Sequence, residues 1–179
     1  YPRTATVSIQ PGGAANVALN LCGLRAGVEM AGLLGDDAAG RFVARTLKGK
    51  RIGVSATIVD PDRRTPVKTR VIAHSQQVVR VDREHKSPPS RATCDALLRK
   101  ALTALADVDG VVFSDYGKGA LTAELVGEVI AAATRKGIFV AVDPKVSAGV
   151  LGVAGMNYST LLDRSVDFDP FNQLMVTTY

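Results

Sequence analysis

Gly110-Val111-Val112-Phe113, then Thr122 to Lys136, then Ile138-Phe139-Val140-Ala141-Val142: these three consecutive runs decide the fold. The first and last are short and apolar, as strands covered on both faces must be. Between them Leu125, Val126, Val129, Ile130 and Ala133 recur at helical spacing, with Gly137 as the stop. Strand, helix, strand is a βαβ crossover, which sets its strands parallel in a sheet covered by helices. The fold class is α/β.

Working towards the N-terminus, Ser87-Pro88-Pro89-Ser90 introduces a helix. Cys94, Leu97, Leu98, Ala101, Leu102 and Leu105 form its apolar stripe. Residues 51–84 read differently. Thr57-Ile58-Val59, Val67 to Ala73 and Val78 to Asp82 are β-branched and alternating, which predicts an antiparallel β excursion. Before it, Val28 to Leu34 reads as a buried strand. Asp36 or Asp37 can cap the helix that follows, which carries Phe42, Val43 and Leu47 and stops at Gly49. Val17, Ala18, Leu21 and Leu24 predict an earlier helix from Ala14 to near Gly27, and Thr4 to Ile9 alternates like a short strand. Beyond Lys145 no clear period remains, so residues 146–179 are expected to form an atypical tail.

The chain has 179 residues, enough for one domain with a sizeable core. A net charge of +5 is spread along it, with small clusters at Arg63-Arg64 and Arg135-Lys136 read as solvated surface. Scattered charge without interleaved aromatics argues against a nucleic-acid partner and suits an anionic substrate. No apolar run approaches the ~20 residues of a membrane span. Cys22 and Cys94 lack metal-ligand spacing and are expected as buried free thiols in the cytoplasm.

Ligands of open α/β sheets bind beyond the carboxyl ends of the strands. Those ends lead into Ser114-Asp115-Tyr116-Gly117-Lys118-Gly119 and Asp143-Pro144-Lys145. Each loop offers a carboxylate for hydroxyls and a lysine for phosphate oxygens, although both aspartates can equally serve as turn caps. Gly12 and Gly13 before a helix allow close backbone approach to a ligand, or simply a tight turn; Asn16 adds a donor and an acceptor. Gly-rich nucleotide loops are absent. His74 and His85 stand alone, and Asp107-Val108-Asp109-Gly110 fails as a calcium loop because Val111 takes a ligand position.

Five stretches, in order, carry a resemblance: Gly12-Gly13-Ala14-Ala15-Asn16-Val17-Ala18, Gly35-Asp36-Asp37-Ala38-Ala39-Gly40, Lys68 to Asp82, Asp115 to Gly119, and Asp143-Pro144-Lys145. Over residues 9–145 the chain resembles the ribokinase (PfkB-type) family of carbohydrate kinases. Lys68-Thr69-Arg70, Gln76-Gln77 and Asp115-Tyr116-Gly117-Lys118-Gly119 are most similar to the D-glycero-β-D-manno-heptose 7-phosphate kinase branch, which includes the kinase half of bifunctional ADP-heptose synthases. The resemblance implies an incomplete three-layer αβα, Rossmann-like domain over 1–145, with 51–84 as a small antiparallel β lid that can build a homodimer. It implies ATP and Mg²⁺ as cofactors, a sugar phosphate as substrate, and transfer of the γ-phosphoryl group to a sugar hydroxyl.

Carried over by position, Gly12, Gly13, Asn16, Arg70, Gln77, Arg80, Asp115 and Lys118 would bind the substrate. Asp143 and Lys145 would lie towards the transferring phosphate. No catalytic residue and no metal ligand is assigned, since the family's Gly-Ala-Gly-Asp and Thr-Pro-Asn-x-x-Glu motifs have no counterpart here. Truncation at both ends and impaired phosphoryl transfer are therefore expected. The alternatives are a non-catalytic sugar-binding or dimerisation fragment, and another ribokinase-type sugar or nucleoside kinase.

Overall fold

The alternation of apolar residues along two strands, read in a computed structural model describing residues 6–73, 76–85, 87–115, 117–142 and 173–178, divides the core into two. In β1 (Gly27–Gly35), Val28 and Met30 point to one face of the sheet and Ala31 and Leu33 to the other. In β5 (Gly110–Ser114), Val111 and Phe113 share the face of Ala31, and Val112 shares that of Met30. Helices α1 (Gly13–Gly23) and α2 (Ala38–Gly49) cover the first face through Ala14, Ala15, Ala18 and Leu47. Helices α3 (Arg91–Ala104) and α4 (Ala123–Arg135) cover the second through Leu97, Ala101, Leu125, Val126 and Val129. This is the three-layer αβα arrangement.

The deciding βαβ unit forms as read. Strand β6 (Phe139–Val142) lies parallel to β5, pairing Val111 with Val140 and Phe113 with Val142. Thr122 caps α4 through the Leu125 amide, and Gly137, at a φ of 68°, ends it. Ser90 caps α3 in the same way, through the Thr93 amide.

Four expectations change. Strand β2 (Thr57–Asp60) is not part of the antiparallel excursion: it pairs in parallel with β1, Gly32 opposite Thr57, as an edge of the main sheet. The excursion narrows to the hairpin of β3 (Val67–Ala73) and β4 (Gln76–Arg83). Described residues 6–9 of the expected first strand have no ladder partner, leaving Val7 and Ile9 exposed and the segment irregular. Helix α1 ends at Gly23 because Arg25 turns left-handed at a φ of 68°, so Leu24 is exposed outside the stripe. The tail, which shows no period, contributes β7 (Gln173–Thr178).

Strand β7 runs antiparallel between β1 and β5, giving the order β2-β1-β7-β5-β6. Its neighbours both oppose it, so β1 and β5 run the same way and their carboxyl ends share one edge of the sheet. The site loops emerge there.

Candidate functional site

At that edge β5 runs into Asp115, whose Oδ1 accepts the Gly117 amide at 2.9 Å. The turn needs a φ of 67° at Gly117 and 80° at Gly119, which glycine adopts without strain. Asp115 is thus a turn cap on one oxygen, the structural alternative open from sequence. Lys118, between those two glycines, donates from Nζ to Glu84 Oε2 at 2.6 Å, with both side chains more than four-fifths buried.

Glu84 follows the last residue of β4, so this ion pair joins the β5–α4 loop to the base of the hairpin. The register of the hairpin then determines which side chains share a face. Lys68 pairs with Asp82, Arg70 with Arg80 and Val71 with Val79, after which the register shifts by one and Ile72 pairs with Gln77. Strict alternation would put Gln77 on the face of Val79 and Val81, opposite Arg80. The shift moves it, because directly paired residues lie on one face. Arg70, Gln77 and Arg80 therefore stand together, with Lys68 and Asp82 nearer the base. Asp82 forms ion pairs with Arg80 and Lys68, its Oδ1 lying 3.1 Å from Arg80 Nε and its Oδ2 3.9 Å from Lys68 Nζ. Val71, Val79 and Val81 form the opposite, exposed face.

A three-residue turn, 24–26, ties the end of α1 to the start of β1, so α1 runs back along the sheet and directs Gly12 and Gly13 towards its carboxyl edge. Gly13, at a φ of 50°, is buried, and Asn16 is half-buried in the first turn. Gly12 offers no side-chain cap to the first amides of α1. Asp143 and Lys145 lie outside the described residues, as does His74.

Sequence reasoning missed Arg63, assigning it to solvated surface. It is 6% exposed. Its Nη1 donates to the Lys118 carbonyl at 3.2 Å and its Nη2 to the Ser87 carbonyl at 2.8 Å. Asp60 Oδ2 lies 3.9 Å from its Nε, which makes no hydrogen bond. Position within an Arg-Arg pair gives no signal for this burial. Of the two cap candidates, Asp36 and Asp37, it is Asp37 that caps α2, through the Gly40 amide at 2.7 Å. Its second oxygen accepts the Thr65 amide at 2.8 Å. Burial pushes the Asp37 carboxyl up, but the hydrogen bonds from Gly40 and Thr65, with Arg41 nearby, outweigh it and hold the carboxyl below its ordinary range.

Cys22 and Cys94 are free but half-buried, not fully buried as expected. Burial foremost, with the Asp95 charge beside it, pushes the Cys94 thiol up, which keeps it protonated and a poor nucleophile. Among the described residues no three acidic, histidine or cysteine side chains come together as a metal site, and no helix is long and apolar enough to cross a membrane. An open cleft of about 590 Å³, lined in part by Glu29, Arg51, Arg99 and Lys100, lies at the amino end of β1, away from the site. There Lys100 is committed to the Ser55 and Thr57 carbonyls.

Residues 2–162 match the family described as pfkB family carbohydrate kinase. The chain is 42% identical over 134 residues to the bifunctional protein HldE of Helicobacter pylori (strain J99), covering 75% of this chain and 29% of that protein. It is 44% identical over 136 residues to the bifunctional protein HldE of Gluconobacter oxydans (strain 621H), covering 75% and 28%. For the protein of the same name from Helicobacter acinonychis (strain Sheeba) the identity is 39% over 134 residues, covering 75% and 29%. The chain thus spans less than a third of the length of these relatives.

Proposed function

The chain belongs to the pfkB family of carbohydrate kinases, and from that premise we propose that it carries the sugar-phosphate side of a heptose phosphate kinase. The observation that carries this reading is the register shift that gathers Arg70, Gln77 and Arg80 on one face of the hairpin. Guanidinium groups match phosphate oxygens in geometry and charge, and the glutamine amide offers donors and an acceptor to hydroxyls.

In this reading Lys118, at the base of the hairpin, exchanges its buried partner Glu84 for the phosphate of the ligand. Gly12 and Gly13 bring backbone amides close to the sugar, and Asn16 and the outer oxygen of Asp115 bind its hydroxyls. Asp143 and Lys145 face the transferring phosphate by resemblance alone. ATP supplies the phosphoryl group and Mg²⁺ neutralises its charge in such reactions. The described residues offer no metal-ligand set, so no step is assigned to the ion. Free thiols at Cys22 and Cys94 suit a cytoplasmic setting. The exposed valine face of the hairpin suits a homodimer.

A second reading is a sugar-binding module without phosphoryl transfer, favoured by the site side chains that are described: Arg70, Gln77, Arg80, Asp115 and Lys118 all belong to the sugar-phosphate side in this reading. Calorimetry with heptose 7-phosphate and with ATP, beside a phosphorylation assay, separates the two. Sugar-phosphate binding weakened at least tenfold by Arg70→Ala or Arg80→Ala is expected. Binding unaffected by either variant, or absent altogether, refutes the site. ATP-dependent turnover by this polypeptide would refute the module.

A further inference from the structure

Arg63 is among the most deeply buried charges of the described residues, and it touches three separate segments. Its guanidinium reaches the Lys118 carbonyl in the β5–α4 loop and the Ser87 carbonyl in the link between hairpin and α3. Asp60, at the end of β2, lies 3.9 Å from it and supplies countercharge from the main sheet. Beside it the Lys118–Glu84 pair ties the same loop to the end of β4. An arginine buried this way is a poor device for stability alone, because desolvation offsets most of the Coulombic gain and one donor, Nε, goes unbonded. Its fixed, planar fork is well suited to holding two carbonyls at a set separation.

We propose that Arg63 is a positioning residue that clamps the base of the β3–β4 hairpin to the 115–121 loop. The clamp holds Lys118 and the Arg70–Gln77–Arg80 face at a constant distance, as one anion-binding unit. The inference rests on the sugar-phosphate reading for the ligand, but the clamp itself has its own readout.

Hydrogen exchange on the full chain, in wild type, Arg63→Met and Arg63→Gln, tests it. Arg63→Met should speed exchange at least tenfold at Gly117, whose amide donates to Asp115, and at the base of the hairpin ladder, where Val67 pairs with Arg83 and Lys68 with Asp82, while the β5 amides of Val111–Phe113 stay protected. Arg63→Gln stays polar but is too short to reach either carbonyl, so both segments should loosen as in Arg63→Met. Unchanged exchange at both segments of Arg63→Met, or β5 loosening in parallel with them, overturns the clamp. Should Arg63→Met fail to fold, Arg63→Gln decides alone: wild-type protection of both segments overturns the proposal. Heptose 7-phosphate affinity, measured alongside, should fall at least tenfold in Arg63→Met. If wild type binds no sugar phosphate, the ligand reading fails while the exchange pattern still judges the clamp.

Discussion

Asp37 shows how much one carboxylate organises at the carboxyl edge. It caps α2 with one oxygen and holds the Thr65 amide with the other, while the Thr65 hydroxyl accepts the Gly35 amide at 2.9 Å. The 61–66 loop is thereby drawn so close that a Cβ on Gly35 would collide with the Arg63 carbonyl and come within 2.7 Å of the Thr65 amide. The family-like Gly35-Asp36-Asp37-Ala38-Ala39-Gly40 stretch is thus a structural joint that seats Arg63. Asp37→Ala should cost ~1–2 kcal/mol at neutral pH, read from urea unfolding. Because the folded carboxyl is held below its ordinary range, its stabilisation is complete above the unfolded value of ~3.9 and is lost as pH falls through the lowered one. The gap between wild type and Asp37→Ala should therefore shrink from pH 6 to pH 3; a constant gap would show that charge is not involved. At this scale a cap is legible, because it acts on the next turn of its own helix. The burial of Arg63 is not, because its partners lie 24 and 55 residues away.

The hairpin carries the argument at the scale of elements. β-Branched alternation announces β3 and β4, and polar Gln76 and Gln77 sit in the second strand. What alternation cannot convey is a one-residue register shift, which exchanges the faces of everything beyond it. The same limit explains β2: a short β-branched run reads alike in a hairpin and at a parallel edge, and only its partner tells them apart. A two-stranded sheet is marginal by itself, and here Val71, Val79 and Val81 are each 46% exposed. The proposed homodimer would bury that face against a second copy. Val79→Lys with Val81→Lys should convert a wild-type dimer to a monomer in light scattering, with the far-ultraviolet dichroism of the helices retained. A wild-type monomer at micromolar concentration would count against the interface.

For the whole molecule the decisive element is β7, which joins two parallel halves that otherwise make no pairing between β1 and β5. Val176 pairs with Glu29 on one side and with Val111 on the other. Proline there would remove a ladder hydrogen bond at the centre of the sheet, where it is poorly tolerated. Val176→Pro should lower stability by several kcal/mol and speed exchange in β1 and β5 together, whereas Val7→Pro, in an unpaired exposed segment, should leave both unchanged. Equal behaviour of the two variants would mean that β7 does not bind the halves.

The sequence by itself determined the α/β class, the βαβ unit, the helix starts after Asp36-Asp37, near Ser90 and near Thr122, and the loops that leave the carboxyl edge. Each follows from periodicity or from a side chain acting within a few residues of its own backbone. Only the tertiary structure decided that β7 fills the centre, that β2 joins the main sheet, that Gln77 shares a face with Arg80, and that Arg63 is buried between loop and hairpin. Those depend on pairing and desolvation between segments far apart in the chain, where many partners satisfy the same local pattern and packing selects one.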